Sequence, residues 1–220
     1  MSPPAGIVAA GGRGERTQAT NGEPKQFRML AGRSLLEWSV SLLRAAGCDP
    51  VIAVLPPGTG ADLVPAGVVV RPGGETRQES VRSGLGPVEA ERVVVHDGAR
   101  PLASPALVHR VLEALDHHDG AVTALPLDET VKLVAGEDVV STIDRTGLWA
   151  IQTPQAFHTS VLREAHDRAF ADAYHATDDA GLVERYGGRV GVVRGARTNI
   201  KLTYAEDFEL AEALVRSGLE

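Results

Sequence analysis

The chain lacks several features that mark particular classes of protein. It has a single cysteine among 220 residues, Cys48, which excludes an intrachain disulfide and a cysteine-based zinc site. No apolar run approaches the ~20 residues that a membrane-spanning helix needs. The opening residues, MSPPAG, have neither the basic start nor the apolar segment of a signal peptide. We therefore expect a cytoplasmic protein with no membrane partner.

Positive charge is also scarce. The net charge is −7, which disfavours nucleic acid as a partner because duplex binding requires a basic face. A local basic site in an acidic protein suggests a small anionic ligand instead. Of the 22 basic residues only three are lysines, Lys25, Lys132 and Lys201. Their retention suggests positions that need a compact ammonium charge.

Glycine residues, by contrast, are concentrated after the first apolar run of the chain. The apolar run Ile7–Ala10 is followed by Gly11–Gly14, which predicts a buried strand that ends in a glycine-rich turn. Backbone N–H groups in such a turn form an anion site, and Arg16 and Lys25 can act as long cationic arms. The turn matches neither the P-loop nor the dinucleotide fingerprint. It predicts polyphosphate binding; the alternative is an ordinary strand-to-loop turn with solvated charges.

Strand-like and helical patterns alternate along the chain and predict one α/β domain over residues 1–220, with a mostly parallel sheet. The predicted strands are 7–10, 51–55, 67–71, 91–96, 121–126 and 189–194, and the predicted helices are 34–47, one ending near 85, 104–118, 159–172, 177–186 and 203–216. Thr177 is expected to cap its helix, with Asp178 and Asp179 as dipole-stabilising acids in the first turn. Thr203 and Glu206 predict a capping box for the last helix.

Two further predicted strands are followed by residues that could bind a ligand. Gly73 and Gly74 form a second glycine turn that could lie beside the first, with Arg77 and Ser80 as its polar groups. The alternative for Ser80 is a serine that caps or begins a helix. Asp97 follows the fourth predicted strand, at the sheet edge where α/β proteins bind ligands. There a carboxylate can hold Mg²⁺ against phosphate oxygens, which we favour over an Asx-type turn.

Residues 127–152 break the alternation. Two β-like runs, 131–134 and 139–143, flank a glycine-containing turn and predict a hairpin. Such an insertion would project from the sheet as an arm. Its exposed apolar positions need a partner, so we expect the arm to form a homodimer.

The motifs together resemble the 2-C-methyl-D-erythritol 4-phosphate cytidylyltransferase family of the non-mevalonate isoprenoid pathway. The resemblance extends over nearly the whole chain and rests, in order, on AGGRGER, PKQF, GGETRQESVRSGL, HDGARP, DETVK, DRTGLWAIQTPQAF, TDDAG and NIKLT. It implies a Rossmann-like nucleotidyltransferase domain with a protruding dimerisation arm. The implied reaction transfers a cytidylyl group from CTP to methylerythritol phosphate with release of pyrophosphate, assisted by Mg²⁺.

The resemblance also implies roles for individual residues. The implied catalytic cations are Arg16, Lys25 and Lys201, and the implied metal ligand is Asp97. The implied CTP-binding residues are Ala10, Gly11, Gly12, Arg13, Gly14, Gly74, Glu75 and Ser80. The implied groups around the sugar phosphate and the reacting phosphates are Arg100, Thr130, Arg145, Thr153 and Thr177, of which Thr130 and Arg145 would come from the partner subunit's arm.

The sequence leaves three other functions open. A cytidylyltransferase of the same fold could use ribitol phosphate and form CDP-ribitol. A sugar-phosphate or cofactor nucleotidyltransferase with another base would fit both glycine turns, although the DRTGLW motif and the arm fit it less well. A non-catalytic nucleotide sensor would be expected to lack a catalytic cation, whereas Arg16, Lys25 and Lys201 are all present.

Overall fold

The computed structural model describes residues 2–12 and 24–218. Strands and helices alternate over most of this part of the chain, as expected for an α/β fold. The strands are β1 (Ala5–Ala9), β2 (Met29–Leu30), β3 (Arg33–Ser34), β4 (Val51–Leu55), β5 (Val69–Pro72), β6 (Arg92–Asp97), β7 (Gly120–Pro126), β8 (Val131–Ala135), β9 (Asp138–Ile143), β10 (Trp149–His158) and β11 (Val190–Arg194). The helices are α1 (Leu35–Ala45), α2 (Arg77–Leu85), α3 (Pro105–Glu113), α4 (Thr159–Ala171), α5 (Asp179–Arg185) and α6 (Ala205–Ser217).

The central sheet is mostly parallel, as predicted. Among the described residues it has seven strands in the order β11-β7-β10-β6-β1-β4-β5. The chain moves outward from β1 through β4 to β5 and then returns to place β6 on the other side of β1. The direction of winding therefore reverses between β1 and β6. In open α/β sheets, ligands bind beyond the carboxyl ends of the strands at such a point.

Strand β10 was not predicted from the sequence. It runs antiparallel between β6 and β7, near the middle of the sheet. Its proline at position 154 argues against a central strand, because proline cannot donate a ladder hydrogen bond. The pairing with β7 is irregular between Gln152 and Gln155, which accommodates this segment.

Helices cover both faces of the sheet. Alternate residues of β1 belong to two apolar clusters: Val8 packs in the cluster that includes α1 and α3, and Ile7 packs in the cluster that includes α2, α4 and α5. This alternation follows from the two-residue period of a strand. Cys48 is buried, as expected, and burial raises its pKa to about 12. No helix in the described ranges is both long enough and apolar enough to span a bilayer.

Two predicted helix caps are wrong by one residue. Asp178, rather than Thr177, caps α5 by accepting a hydrogen bond from Gly181 N at 3.0 Å. At α6 the carboxylate of Asp207 accepts from the backbone N–H groups of residues 203 and 204, so the predicted box between Thr203 and Glu206 is displaced. In both helices a carboxylate one residue further along the chain accepts the hydrogen bonds at the start of the helix.

The predicted hairpin is present as the pair β8 and β9, which form their own two-stranded sheet. It connects β7 to β10, and those two strands remain paired up to Pro126 and Trp149 at the base of the arm. The arm therefore leaves the sheet at the edge where β7 ends. Its apolar side chains are largely exposed, with Val139 at 61% and Val140 at 59%.

Candidate active site

The two glycine turns pack directly against each other. Ala10, Gly11 and Gly12 continue from β1, and a Cβ atom added to Gly11 would lie 2.8 Å from Ser80 Oγ and 3.0 Å from Gly73 Cα. Any side chain at position 11 would therefore push the turns apart, which explains the glycine. The second turn thus lies beside the first, and the approach of both turns to one ligand stays a prediction. The predicted site residues Arg13, Gly14 and Arg16 lie outside the described residues.

The second turn is held by side chains of the helix that follows it. Ser80 Oγ accepts from Gly74 N at 3.2 Å and donates to Thr76 O at 2.9 Å. The Glu79 carboxylate accepts from the backbone N–H of Glu75 at 2.7 Å and from that of Thr76 at 3.3 Å. Both interactions organise the backbone of the turn. Contact of Gly74, Glu75 or Ser80 with a nucleotide remains a prediction.

Asp97, the last residue of β6, lies among three cationic side chains. Its Oδ1 accepts from Arg77 Nε at 3.0 Å, and its Oδ2 accepts from Lys201 Nζ at 2.8 Å. Arg100 Nε lies 4.0 Å from the same Oδ2. Within the described residues, Arg100 Nε is buried and has no hydrogen-bond partner. We call these four residues the Asp97 cluster.

The Asp97 cluster combines three cationic groups with one carboxylate, and Arg77 is shared with a second carboxylate, Asp179. Burial raises the pKa of Asp97, but the charges of Arg77 and Lys201 outweigh burial and hold that pKa well below its usual range. Burial lowers the pKa of Arg77, but Asp179 and Asp97 outweigh it and raise that pKa. The carboxylate is therefore ionised at neutral pH, and the cluster presents more positive than negative groups. Such a site favours an anion.

Thr153 and His96 complete the surroundings of the carboxylate. Thr153 Oγ1 accepts from Asp97 N at 3.0 Å and lies 3.2 Å from His96 Nδ1. Burial lowers the pKa of His96 to about 4, so the imidazole is neutral at pH 7. With His96 Nε2–H donating to Arg100 O at 3.0 Å, Nδ1 is left to accept from the Thr153 hydroxyl. Thr153 is thus next to the predicted metal ligand.

Lys201 is carried by the segment 195–202, which is attached to β10. Asn199 Nδ2 donates to Thr153 O at 2.8 Å and to Gln152 Oε1 at 3.2 Å. Arg100 Nη1 donates to Asn199 O at 2.8 Å. Gln152 and Asn199 were not among the predicted site residues. Their short polar motifs, IQT and TNIK, gave no indication that they hydrogen-bond each other across the fold.

The other predicted site residues lie in three further parts of the described chain. Lys25 begins a short 3₁₀ turn, and its neighbour Phe27 is buried in the same apolar cluster as Ala10. Thr130 and Arg145 are exposed on the arm, outside the regular sheet. Thr177 is exposed two residues before the buried Asp179. The functions of all four remain predictions.

Asp179 and His166 were missed as members of the site. Asp179 Oδ2 accepts from Arg77 Nη1 at 2.6 Å, and Asp179 Oδ1 lies 3.0 Å from His166 Nε2. Both side chains are 1% exposed. The sequence alone predicts Asp179 only as a dipole-stabilising acid, because its partner Arg77 lies 102 positions away in the chain.

Asp97 is the carboxylate of this cluster that could bind a divalent cation. In the described ranges no three His, Cys, Asp or Glu side chains are grouped to hold a metal. Mg²⁺ is commonly bound by one or two carboxylates, with substrate phosphates and water as the other ligands. Asp97 fits that pattern, because it is ionised and its Oδ2 is paired with a lysine whose side chain is 47% exposed.

Comparison with known proteins gives a consistent family. The profile of the family described as IspD: 2-C-methyl-D-erythritol 4-phosphate cytidylyltransferase matches residues 5–217. The 2-C-methyl-D-erythritol 4-phosphate cytidylyltransferase of Deinococcus radiodurans is 44% identical over 212 residues, which cover 96% of this chain and 88% of that protein. The protein of the same name from Rubrobacter xylanophilus is 42% identical, with 98% and 96% covered.

The fold is also shared with solved structures. The crystal structure of 2-C-methyl-D-erythritol 4-phosphate cytidylyltransferase from Thermus thermophilus has a TM-score of 0.86 and 38% identity, and covers 98% of this chain and 100% of its own. The curated and structural relatives therefore match the chain over almost its full length.

The electrostatics of Asp97 predict a specific loss of stability in acid. A carboxylate whose folded pKa is depressed stabilises the folded state above its unfolded pKa of about 3.9, and this contribution disappears as the pH falls toward the folded pKa. Asp97→Asn should therefore be less stable than wild type at neutral pH, because Arg77 and Lys201 lose a partner, and should lose less on acidification. Urea denaturation between about pH 7 and about pH 3 measures both effects.

Asp167→Asn is the control for this measurement, because Asp167 forms an exposed pair with Arg82. This variant should retain the pH dependence of the wild-type protein. If the Asp97→Asn curve ran parallel to the wild-type curve throughout, Asp97 would not be the source of the acid sensitivity.

Proposed function

The chain belongs to the 2-C-methyl-D-erythritol 4-phosphate cytidylyltransferase family and transfers a cytidylyl group from CTP to methylerythritol phosphate with release of pyrophosphate; we propose that this reaction takes place at the Asp97 cluster. The observation that carries the proposal is the meeting of Arg77, Arg100 and Lys201 around one ionised carboxylate, at the point where the sheet reverses its winding. Access to CTP makes the cytoplasm the compartment that we propose.

The reaction requires two anions to approach each other. A phosphate oxygen of methylerythritol phosphate attacks the α-phosphorus of CTP, and this oxygen needs no strong general base because the phosphate is already ionised. Positioning and charge neutralisation therefore dominate catalysis. Lys201 and Arg100 would neutralise the attacking and reacting phosphates. The buried Nε of Arg100 has no hydrogen-bond partner among the described residues and lies 4.0 Å from Asp97 Oδ2, which supports this assignment.

The CTP triphosphate is assigned to the first glycine turn. The contact between Gly11 and the second turn places the two glycine turns side by side at the sheet edge. We assign cytosine and ribose to Ala10, Gly11, Gly74, Glu75 and Ser80, and the triphosphate to the N–H groups of residues 12–14. Arg13, Arg16 and Lys25 would offset its charge. The assignments for Arg13, Gly14 and Arg16 rest on the sequence motif alone.

Mg²⁺ is the metal proposed for Asp97. Carboxylate, phosphate and water oxygens are the ligands that this ion prefers, and Asp97 supplies the protein carboxylate. When bound, the ion would polarise phosphate oxygens and offset their charge. Thr153 would hold Asp97 in place through the backbone N–H of residue 97.

We also propose that residues 1–220 form one domain and that two copies pair through their arms. Leu133, Val134, Val139 and Val140 expose more than half of their surface on β8 and β9. A two-stranded hairpin with exposed apolar residues is marginally stable alone. Pairing would bury these side chains. It would also allow Thr130 and Arg145 to reach the partner's phosphates, while Thr153 and Thr177 serve the site of their own subunit.

A substrate panel tests the proposed function most directly. Pyrophosphate release should be fastest with CTP and methylerythritol phosphate among the combinations of CTP, UTP, GTP or ATP with methylerythritol phosphate or ribitol phosphate. Ribitol phosphate as the preferred acceptor would identify the CDP-ribitol activity, and a preference for another nucleotide would contradict the assignment of the base. No release with any pair would contradict catalysis itself.

Removal of a lysine should affect the chemical step. We expect Lys25→Ala and Lys201→Ala to fold and to lose about 10²–10³ in turnover, the typical cost of removing one group that stabilises charge in the transition state. Initial rates of pyrophosphate release at saturating substrate measure this loss. Arg216→Ala, which removes an exposed cation from α6, is the control. Wild-type turnover by either lysine variant would exclude that lysine from the mechanism.

Mixing two inactive variants tests whether the arm acts across subunits. Arg145→Ala and Lys201→Ala should each be inactive as homodimers. In a mixed dimer, one site has Lys201 from one chain and Arg145 from the other, so it is intact. After denaturation and refolding of an equal mixture, about one quarter of wild-type activity should return, because half of the dimers are mixed and one of their two sites is complete.

The same mixture distinguishes the alternative arrangement. If Arg145 served its own subunit, every site in the mixture would lack one of the two side chains and no activity would return. Wild-type protein carried through the same procedure measures the refolding yield. A fully active monomer in sedimentation analysis would contradict the proposed dimer.

A further inference from the structure

Arg77 connects two carboxylates that come from distant parts of the chain. Its Nε donates to Asp97 Oδ1 at 3.0 Å, and its Nη1 donates to Asp179 Oδ2 at 2.6 Å. The planar guanidinium can make both contacts at once because its donors form a rigid fork. The orientation of the Asp97 carboxylate therefore depends on the position of Asp179.

Asp179 is itself fixed from the opposite side. Its Oδ1 lies 3.0 Å from Nε2 of His166, which projects from the middle of α4, and both side chains are 1% exposed. Burial raises the pKa of Asp179, but Arg77 and the hydrogen bond from His166 outweigh burial and lower it. Asp179 is consequently a buried anion that is paired on both oxygens, a condition that restricts its side chain to one arrangement.

The backbone around Asp179 is attached to the same helix as Arg77. Gln78, the residue after Arg77, donates from Nε2 to Tyr174 O at 3.0 Å and accepts from Ala176 N at 3.0 Å. The segment before α5 is therefore held against the start of α2. Arg77 and Asp179 cannot separate unless these two hydrogen bonds break as well.

The two oxygens of Asp97 differ as a result. Oδ1 is held by Arg77, which is anchored at its other end to a buried group. Oδ2 is paired with Lys201, whose side chain is 47% exposed and which lies outside the helices and strands. Arg77, 27% exposed, is thus anchored to a buried carboxylate, whereas Lys201 has no such anchor among the ion pairs of the described residues and is more exposed.

We propose that Arg77, Asp179 and His166 are positioning residues that fix the Asp97 carboxylate through Oδ1, so that Oδ2 can bind the divalent cation once Lys201 has turned from it to a phosphate. The proposal rests on the proposed function, because it takes Asp97 as the metal ligand. Residues that hydrogen-bond a metal ligand and so orient it typically change metal affinity by 10- to 100-fold. In this chain Arg77 contacts the ligand, Asp179 contacts Arg77, and His166 contacts Asp179.

Metal affinity is the measurement that tests this proposal. Mn²⁺ serves as the probe, because it prefers the same oxygen ligands as Mg²⁺ and is detected by electron paramagnetic resonance. In the presence of a non-hydrolysable CTP analogue, Asp179→Asn should weaken Mn²⁺ binding by about 10- to 100-fold. The conservative amide preserves shape and removes the charge that anchors Arg77. Mn²⁺ affinity within about twofold of wild type in folded Asp179→Asn would overturn the proposal.

Two controls separate positioning from general destabilisation. Asp167→Asn removes a carboxylate from an exposed pair with Arg82 on α2 and should leave Mn²⁺ affinity unchanged. If Asp179→Asn does not fold, Arg77→Lys is measured in its place, because a lysine can pair with Asp97 but lacks the fork that bridges both carboxylates. Arg77→Lys should then show the same weakening, and wild-type affinity would contradict the proposal.

A third variant distinguishes failure of this proposal from failure of the proposed function. Asp97→Asn should weaken Mn²⁺ binding at least as much as Asp179→Asn. If Asp97→Asn binds Mn²⁺ like wild type, Asp97 is not the metal ligand and the function assigned to this residue is wrong. If only Asp97→Asn is weakened, Asp97 holds the metal without help from Arg77, Asp179 and His166.

Discussion

The charge of a single buried carboxylate governs the arrangement of the site. Asp97 ends a central strand and is only 7% exposed, so its negative charge requires compensation inside the protein. Arg77 comes from the helix after the second glycine turn, Arg100 from the turn after β6, and Lys201 from the segment before α6. Three separate parts of the chain therefore converge on one edge of the sheet. The same convergence gives an acidic protein a local positive field that favours phosphates.

The antiparallel strand β10 connects this centre to the arm. Its first residues pair with β7 at the base of the arm, and its middle residues reach the Asp97 cluster. There Thr153 accepts from the backbone of Asp97, and Gln152 hydrogen-bonds the segment that carries Lys201. One strand thus holds both the base of the arm and the residues around Asp97. An arm that pairs with a second copy would place its neighbours at a defined distance from that copy's site.

The sequence predicted the strand and helix pattern well, but it did not predict the contacts of Asp179 and His166 that anchor Arg77. Local signals were sufficient for β4, whose predicted limits, 51–55, agree with the structure, and for the glycine turns and Asp97 at strand ends. Local signals failed at β10, where a proline between polar residues hides a strand that is stabilised by its two neighbours. They also failed at Asp179, since a helix-capping acid and a buried ion-pair partner look alike until tertiary contacts are known.

Arginine and lysine have different contacts around Asp97, and these contacts suit the chemistry of each side chain. Arg77 bridges two buried carboxylates, a task that requires a planar group with several fixed donors. Lys201 has a single compact charge on a flexible stem, and its side chain is about half exposed. In the proposed mechanism it can leave Asp97 for a phosphate. Asp97 then still has a cationic partner, because Arg77 remains paired with Oδ1. The proposed mechanism therefore uses one cation that stays and one that moves. An arginine at position 201 would hold the carboxylate more firmly and release it less readily, so the proposed mechanism favours a lysine there.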